Sequence, residues 1–100
     1  MLTITAQHQI FVACHPFDFR MGIDGFAAIC RKSFKLDPFA GYCIIFRNRK
    51  QTAIKILLYD GTGFWLCHKR LSKGRFKYWP KTAGCVVVID CQQLTLLLQQ

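Results

Sequence analysis

Residues 42–70, YCIIFRNRKQTAIKILLYDGTGFWLCHKR, decide the fold of this 100-residue chain. Residues 42–47 are almost continuously apolar, as in a central strand that is covered on both faces. Residues 53–59 and 64–70 alternate between apolar and polar side chains, as half-buried strands do. The links 48–52 and 60–63 are of hairpin length, and strands joined by such short turns pair antiparallel. The stretch therefore predicts a three-stranded antiparallel meander.

A helix is predicted upstream of the meander, over residues 22–34. Its apolar side chains recur at the 3.6-residue period and so line one face: Ile23, Phe26, Ala27, Cys30 and Phe34. Asp18 lies shortly before this stretch and is a candidate cap for the start of the helix. We expect the apolar face, with Phe26, Cys30 and Phe34, to be buried against the sheet.

Further elements are expected on either side of this helix and meander. Residues 10–14 and 85–89 are short apolar runs typical of strands, the second one buried, and residues 71–80 fit either a short strand or an extended arm. Asp90 is the expected N-cap of a terminal helix with an apolar stripe of Leu94, Leu97 and Leu98. The expected fold class is α+β, an antiparallel β-meander sheet with the amphipathic helix packed on one face, a short C-terminal helix on the same face, and a single domain over residues 1–100.

The composition indicates a folded, basic protein. Fourteen Lys and Arg residues stand against five acidic residues, which gives a formal net charge of +9. Such an excess favours a polyanionic partner, either nucleic acid or an anionic membrane face. The hydrophobic fraction of 52% excludes an intrinsically disordered chain, and no apolar run reaches the roughly 18 residues that a membrane-spanning helix needs.

Two basic clusters supply the candidate nucleic-acid-binding residues. They are Arg47, Arg49, Lys50 and Lys55 around the first turn, and Lys69, Arg70, Lys73, Arg75, Lys77 and Lys81 at the end of the third strand of the meander and after it. The second cluster is interleaved with Phe76, Tyr78 and Trp79, which are candidates for base stacking or for docking a protein partner. The alternative is a solvated sheet edge whose lysines prevent edge-to-edge pairing and whose aromatic side chains point inward.

The sequence predicts no catalytic site. Each of the five Asp residues has a local role in a cap or a turn, and no two have the spacing of a metal-binding pair. We therefore expect no enzyme activity, metal, cofactor or small-molecule substrate. The six cysteines occur singly, without a C-x-x-C pair, and are expected to be buried thiols. Reduced thiols and the lack of any Lys or Arg before Arg20 predict a cytoplasmic protein without an export signal.

Several of these stretches resemble one family in sequence and in order. They are residues 12–14 (VAC), 18–27 (DFRMGIDGFA), 37–41 (DPFAG), 46–49 (FRNR), 55–57 (KIL), 59–64 (YDGTGF), 69–76 (KRLSKGRF), 79–80 (WP) and the closing segment 90–98. They resemble the TnpB, or second-reading-frame, family of the "sixty-six" type insertion elements. The likeness spans roughly residues 10 to 98.

The resemblance implies a small bacterial protein that is accessory to transposition and encoded beside a larger transposase, which carries the catalytic acidic triad. It brings no catalytic residues to this chain. The expected partners are DNA and the transposase of the same element. The alternative is a protein-only adaptor that docks on the transposase or on another accessory subunit.

The resemblance also groups Asp18, Arg20 and Asp24 in one motif. We expect Arg20 to pair with one of the two carboxylates and to fix the start of the helix. The alternative is a polar site for the partner transposase.

Overall fold

The computed structural model describes residues 8–100, so residues 1–7 of the expected single domain lie outside the described part. The elements in chain order are β1 (Ile10–Ala13), α1 (Ile23–Lys32), a 3-10 helix (Pro38–Ala40), β2 (Cys43–Arg47), β3 (Ala53–Tyr59), β4 (Phe64–Arg70), β5 (Val86–Ile89) and α2 (Cys91–Leu98). The strands form one sheet in the order β4-β3-β2-β1-β5. The α+β class is confirmed.

The sheet is mixed rather than antiparallel throughout. The predicted meander is confirmed for β2, β3 and β4, where Ile45 pairs with Ile56 and Ile56 with Cys67. The strand β1, however, runs parallel to β2, with Phe11 opposite Ile44, and β5 pairs antiparallel with β1 at the far edge. The all-antiparallel prediction is therefore wrong for this pair, because α1 carries the chain back to the start of the sheet between β1 and β2.

The two helices contribute to different hydrophobic clusters, on opposite faces of the sheet. Alternating residues of β2 enter both clusters, so that Phe46 packs with Phe26 of α1, whereas Ile45 packs with Leu94 and Leu97 of α2. The prediction of helices on a single face is wrong. The reason is the continuous apolar run of β2, which presents side chains on both faces and needs a covering layer on each.

The helix α1 is shorter than predicted and is not capped by Asp18. It spans Ile23–Lys32, and its N-cap is Gly22, which makes no side-chain capping bond. At the other end, Lys35 has a left-handed φ of 56°, which takes the chain out of the helical path. Phe34 is still buried as predicted, because its ring lies on that of Phe46 with the centroids 6.0 Å apart.

The terminal helix follows the sequence prediction closely. Asp90 accepts a hydrogen bond from the backbone N–H of Gln93, and the Gln93 side chain accepts one from the backbone N–H of Asp90, which makes a complete capping box. Leu94 and Leu97 are buried, and Leu98 packs partly against the same cluster. Between β4 and β5 the chain forms no helix or strand, so the arm alternative for residues 71–80 is the correct one.

Candidate nucleic-acid interface

The side chain of Asn48 makes three hydrogen bonds within the turn between β2 and β3. Its Oδ1 accepts hydrogen bonds from the backbone N–H groups of Thr52 at 2.9 Å and Ala53 at 3.2 Å, and its Nδ2 donates to the Thr52 hydroxyl at 2.9 Å. An Asn side chain that replaces backbone partners in this way fixes a turn locally. Arg49 and Lys50 occupy the tip of this turn and are both exposed.

The segment after β4 runs back alongside this turn. Leu71 donates its backbone N–H to the carbonyl of Thr52 at 2.9 Å. Phe76 donates its N–H to the carbonyl of Gln51 at 2.7 Å, and the Gln51 side chain donates to the Phe76 carbonyl at 2.8 Å. These bonds bring the two basic clusters of the sequence together. Sequence reasoning missed Gln51, because an uncharged turn residue carries no binding signal.

Two of the three predicted stacking side chains lie in the core. Phe76 is fully buried, and Trp79 is buried and donates its indole N–H to the carbonyl of Ala13 at 2.8 Å. Their assignment as base-stacking or docking residues is corrected, because both rings pack in the cluster under α2 and no face is left for a base. Tyr78 points outward instead, with 78% of its surface exposed.

The predicted binding cations divide into two groups. Seven are exposed and bond to no carbonyl that the structure records: Arg49, Lys50, Arg70, Lys73, Arg75, Lys77 and Lys81. Five of them lie on the turn after β2, at the end of β4 or just after it, and we call this group the basic end: Arg49, Lys50, Arg70, Lys73 and Arg75. Lys69 is exposed too, but its ammonium donates to the carbonyl of Leu98 at 2.8 Å.

Lys55 and Arg47 belong to the packing of the protein. The Lys55 ammonium lies on the α1 side, where it donates to the carbonyl of Phe19 at 2.8 Å and lies 5.3 Å from the centre of the Phe19 ring. It therefore does not share a surface with Lys69, which lies on the other face. Arg47 is half-buried, with its guanidinium 6.0 Å from the Trp79 ring and its buried Nε unpartnered within residues 8–100. Desolvation lowers the pKa of Arg47.

The loop before α1 closes over the same end of the sheet. The backbone N–H of Phe17 donates to the carbonyl of Arg47 at 3.0 Å. The predicted pairing of Arg20 is confirmed, and its partner is Asp18 at 2.7 Å, with both side chains at least half exposed. Hydrogen bonds from Arg20 lower the pKa of Asp18 to about 2. Asp24 lies in the first turn of α1 instead.

Three other carboxylates lie in turns at the opposite end of the sheet, which we call the carboxylate end: Asp37, Asp60 and Asp90. Asp37 accepts a hydrogen bond from the N–H of Phe39 at 3.0 Å, at the start of the 3-10 helix. Asp60 accepts bonds from two backbone N–H groups, the Thr62 hydroxyl and the Trp65 indole, and these bonds lower its pKa. The carboxylate end also holds cations, since α1 ends there with Arg31 and Lys32.

A groove of about 810 Å³ runs between α2 and residues 77–81. Apolar side chains of Trp79, Ile89 and Leu97 line it, together with the exposed Leu96, and Lys77 and Lys81 are among its lining residues. The amide of Gln100 closes one side by bonding to the backbone of Tyr78. The groove is therefore apolar inside and basic beside the arm.

The six cysteines are all free thiols in this structure. Cys14, Cys30 and Cys43 are buried, and burial raises the pKa of the Cys30 and Cys43 thiols to about 12. The prediction of a buried thiol is wrong for Cys85, which is exposed just before β5, and Cys67 and Cys91 are only partly buried. The expected buried strand over residues 85–89 is wrong too, because β5 is an edge strand and Val88 is exposed. Across residues 8–100, no three His, Cys or Asp side chains are grouped as metal ligands, and no helix is long and apolar enough to cross a membrane.

Comparison with known proteins identifies the family. A family model described as "IS66 Orf2 like protein" matches residues 8–100. The chain belongs to this family. The IS66 Orf2-like assignment confirms the resemblance drawn from the motifs, and it indicates an insertion-sequence accessory protein rather than a member of a known catalytic family.

Two curated relatives from Sinorhizobium fredii are similar to this chain. One, named "Uncharacterized protein y4hO", is 34% identical over 90 residues, which cover 90% of this chain and 77% of that protein. The other, "Uncharacterized protein y4jC", is 32% identical over 78 residues, which cover 78% of this chain and 67% of that protein. No solved structure matches the chain.

Proposed function

We propose that this IS66 Orf2-like protein is a non-catalytic accessory protein that binds DNA through its basic end and acts beside the transposase of the same element. The observation that carries the proposal is the pair of hydrogen bonds between Gln51 and Phe76, which holds the two basic stretches against each other. Five exposed cations lie on or beside these joined segments. Clustered Lys and Arg side chains of this kind bind phosphates and release condensed counterions.

Contacts to phosphates rather than to base edges fit this geometry. The cations of the basic end lie on a turn, on the last residue of β4 and on an irregular segment, whereas base edges in the major groove are usually contacted from a helix or a two-stranded ribbon. We therefore propose that binding discriminates little between sequences. Asp37, Asp60 and Asp90 lie at the other end of the sheet from these cations. At that distance their carboxylates repel a bound phosphate chain only weakly.

The test is the salt dependence of DNA binding. Fluorescence anisotropy with a short labelled duplex and a single strand should give an affinity that falls steeply with salt, with a log–log slope of about 0.9 for each phosphate neutralised on duplex DNA. Charge reversal at Arg49 and Arg75 should weaken binding and lower the slope by about one for each phosphate that the variant no longer neutralises.

The matched control is charge reversal at Arg31 and Lys32, which are exposed near the end of α1 and change the net charge by the same amount. That variant should keep most of the slope. Binding that does not respond to salt, or no binding to duplex or single strand at low salt, contradicts the proposal.

A protein-only adaptor is the second candidate, and the groove beside α2 favours it. Tyr78 and Leu96 expose 78% and 68% of their surfaces there, and exposed apolar side chains around an apolar groove are typical of docking surfaces. A pull-down of the transposase with and without nuclease separates the candidates. An interaction that survives nuclease and is abolished by Leu96→Asp supports the adaptor, whereas one that nuclease abolishes supports DNA binding.

A further inference from the structure

A second basic feature adjoins the basic end. A hollow of about 420 Å³ lies between the loop 16–20 and the turn 48–50. Arg20, Arg49 and Lys50 all line it, and Asp18 is the carboxylate among its lining residues. Three cations against one carboxylate give the hollow a net positive charge of two. Such a concave site of one sign concentrates anions.

Both walls of the hollow are anchored to the core. On one side, Phe17 is fixed by its backbone bond to Arg47, and its ring contacts Phe46 edge to face with the centroids 5.6 Å apart. On the other side, the Asn48 side chain holds the turn that carries Arg49 and Lys50. The distance between the loop 16–20 and the turn 48–50 is therefore set by these hydrogen bonds and ring contacts rather than by flexible side chains.

Arg20 is oriented although 92% of its side chain is exposed. Its Nε donates to both Asp18 oxygens at 3.1 Å, its Nη2 donates to Asp18 at 2.7 Å, and its backbone N–H donates to the same carboxylate at 2.9 Å. An arginine paired in this way keeps its remaining N–H donors in a fixed plane. The four bonds also engage both oxygens of Asp18, which reduces its repulsion of an incoming anion.

We propose that this hollow is a phosphate-binding site in which Arg20, Arg49 and Lys50 hold one backbone phosphate of a DNA strand, with Asp18 as the positioning residue for Arg20. The site rests on the proposed function and deepens it, because it adds Arg20 to the DNA surface. It also assigns the Asp18–Arg20 pair a role in binding in addition to the local structure of the loop.

The sharpest test uses Asp18→Asn. A purely electrostatic surface and a site in which Asp18 orients Arg20 predict opposite changes in DNA affinity for this variant. The substitution raises the net charge by one, so that a purely electrostatic surface should bind DNA more tightly. A positioned Arg20 predicts the reverse, a decrease of about two- to fivefold in affinity for a short duplex. The matched control is Asp24→Asn, which makes the same change of charge in the first turn of α1, where Asp24 makes no ion pair with Arg20. It should bind as tightly as the wild type or more tightly.

Arg20→Ala supplies the second arm, with Arg31→Ala as its control. We expect Arg20→Ala to weaken binding by about three- to tenfold and to lower the salt slope by about one, whereas Arg31→Ala should have a smaller effect on both. Arg20→Lys should restore only part of the affinity, because an ammonium lacks the planar fork that Asp18 orients. Thermal melting of each variant checks that it is folded at the temperature at which DNA affinities are compared.

The source of the phosphate is tested with the wild type. Titration with inorganic phosphate and with the duplex, followed by the backbone amide signals of residues 17–20 and 48–50, should give saturable shifts with both. Shifts with inorganic phosphate alone overturn the assignment to DNA.

The outcomes separate this site from the proposed function. Tighter binding by Asp18→Asn, or equal binding by Arg20→Ala and Arg31→Ala, overturns the phosphate site and leaves the basic end in place. A wild-type protein that binds no DNA at low salt overturns both.

Discussion

The two ends of the sheet use their charged side chains in different ways. At the carboxylate end, Asp37, Asp60 and Asp90 accept hydrogen bonds from nearby backbone N–H groups and so hold their own turns. At the basic end, the turns are held by the uncharged side chains of Asn48 and Gln51, and the cations extend into solvent. The three carboxylates of the carboxylate end maintain local structure, whereas the five cations of the basic end are left available to a partner.

The largest expected effect tests whether the basic end depends on the core beneath it. Phe76→Ala should lower the free energy of unfolding by about 3–5 kcal/mol, because it removes a fully buried ring that anchors the basic segment. Tyr78→Ala, two residues further on, removes an exposed ring and should change that free energy by less than about 0.5 kcal/mol. Urea denaturation measures both, and equal decreases would show that the segment is not anchored as the structure has it.

Lys55 and Arg70 sharpen the distinction between a structural cation and an available one. Lys55→Met removes the bonds to the carbonyls of Phe19 and Met21, and should lower the free energy of unfolding by about 1–2 kcal/mol while leaving the salt slope of DNA binding unchanged. Arg70→Met should do the opposite, with stability within about 0.5 kcal/mol of the wild type and a slope lower by about one. If both variants lower the slope equally, the division of the cations is wrong.

Asp90→Ala tests a carboxylate whose role is structural. Removal of the capping box should lower the free energy of unfolding by about 1 kcal/mol, because the first turn of α2 then has no side-chain acceptor. Gln92→Ala, on an exposed residue in the same turn, serves as the control. DNA affinity should stay nearly constant in both variants, since Asp90 lies at the far end of the sheet. A large increase in DNA affinity on removing Asp90 would show that this carboxylate acts electrostatically on the basic end.

The smallest effect is the acid response of Asp60. Its folded-state pKa is lowered below the ordinary 3.8, so its hydrogen bonds contribute stability above that value, and the contribution is lost as the pH falls through the lowered pKa. Melting temperatures between about pH 5 and pH 2 should therefore decline less steeply in Asp60→Asn than in the wild type. The pKa of Asp18, which is also lowered, leaves a residual decline in the variant. Parallel curves for the two proteins would contradict this account.

Local sequence signals were sufficient for some elements and for part of the site. The hairpins of β2, β3 and β4 and the capping box of Asp90 depend on neighbours in the chain, and the sequence predicts them correctly. The assignment of Phe76 and Trp79 failed because the arm has no regular period, so that nothing local indicates which of its rings faces the core. The pairing of Arg20 was predicted, but its place beside Arg49 and Lys50 was not.

The sequence by itself determined the family, the basic charge, the central meander and the two helices, because these follow from composition, motif order and side-chain periodicity along the chain. Only the tertiary structure decided that β1 lies parallel to β2, that the helices cover opposite faces, and that Lys55 and Lys69 point to different sides. Only the tertiary structure placed the loop 16–20 against the turn 48–50. Each of these facts depends on a contact between residues that are distant in the chain, and such contacts are set by which packing buries the most apolar surface with its backbone groups paired.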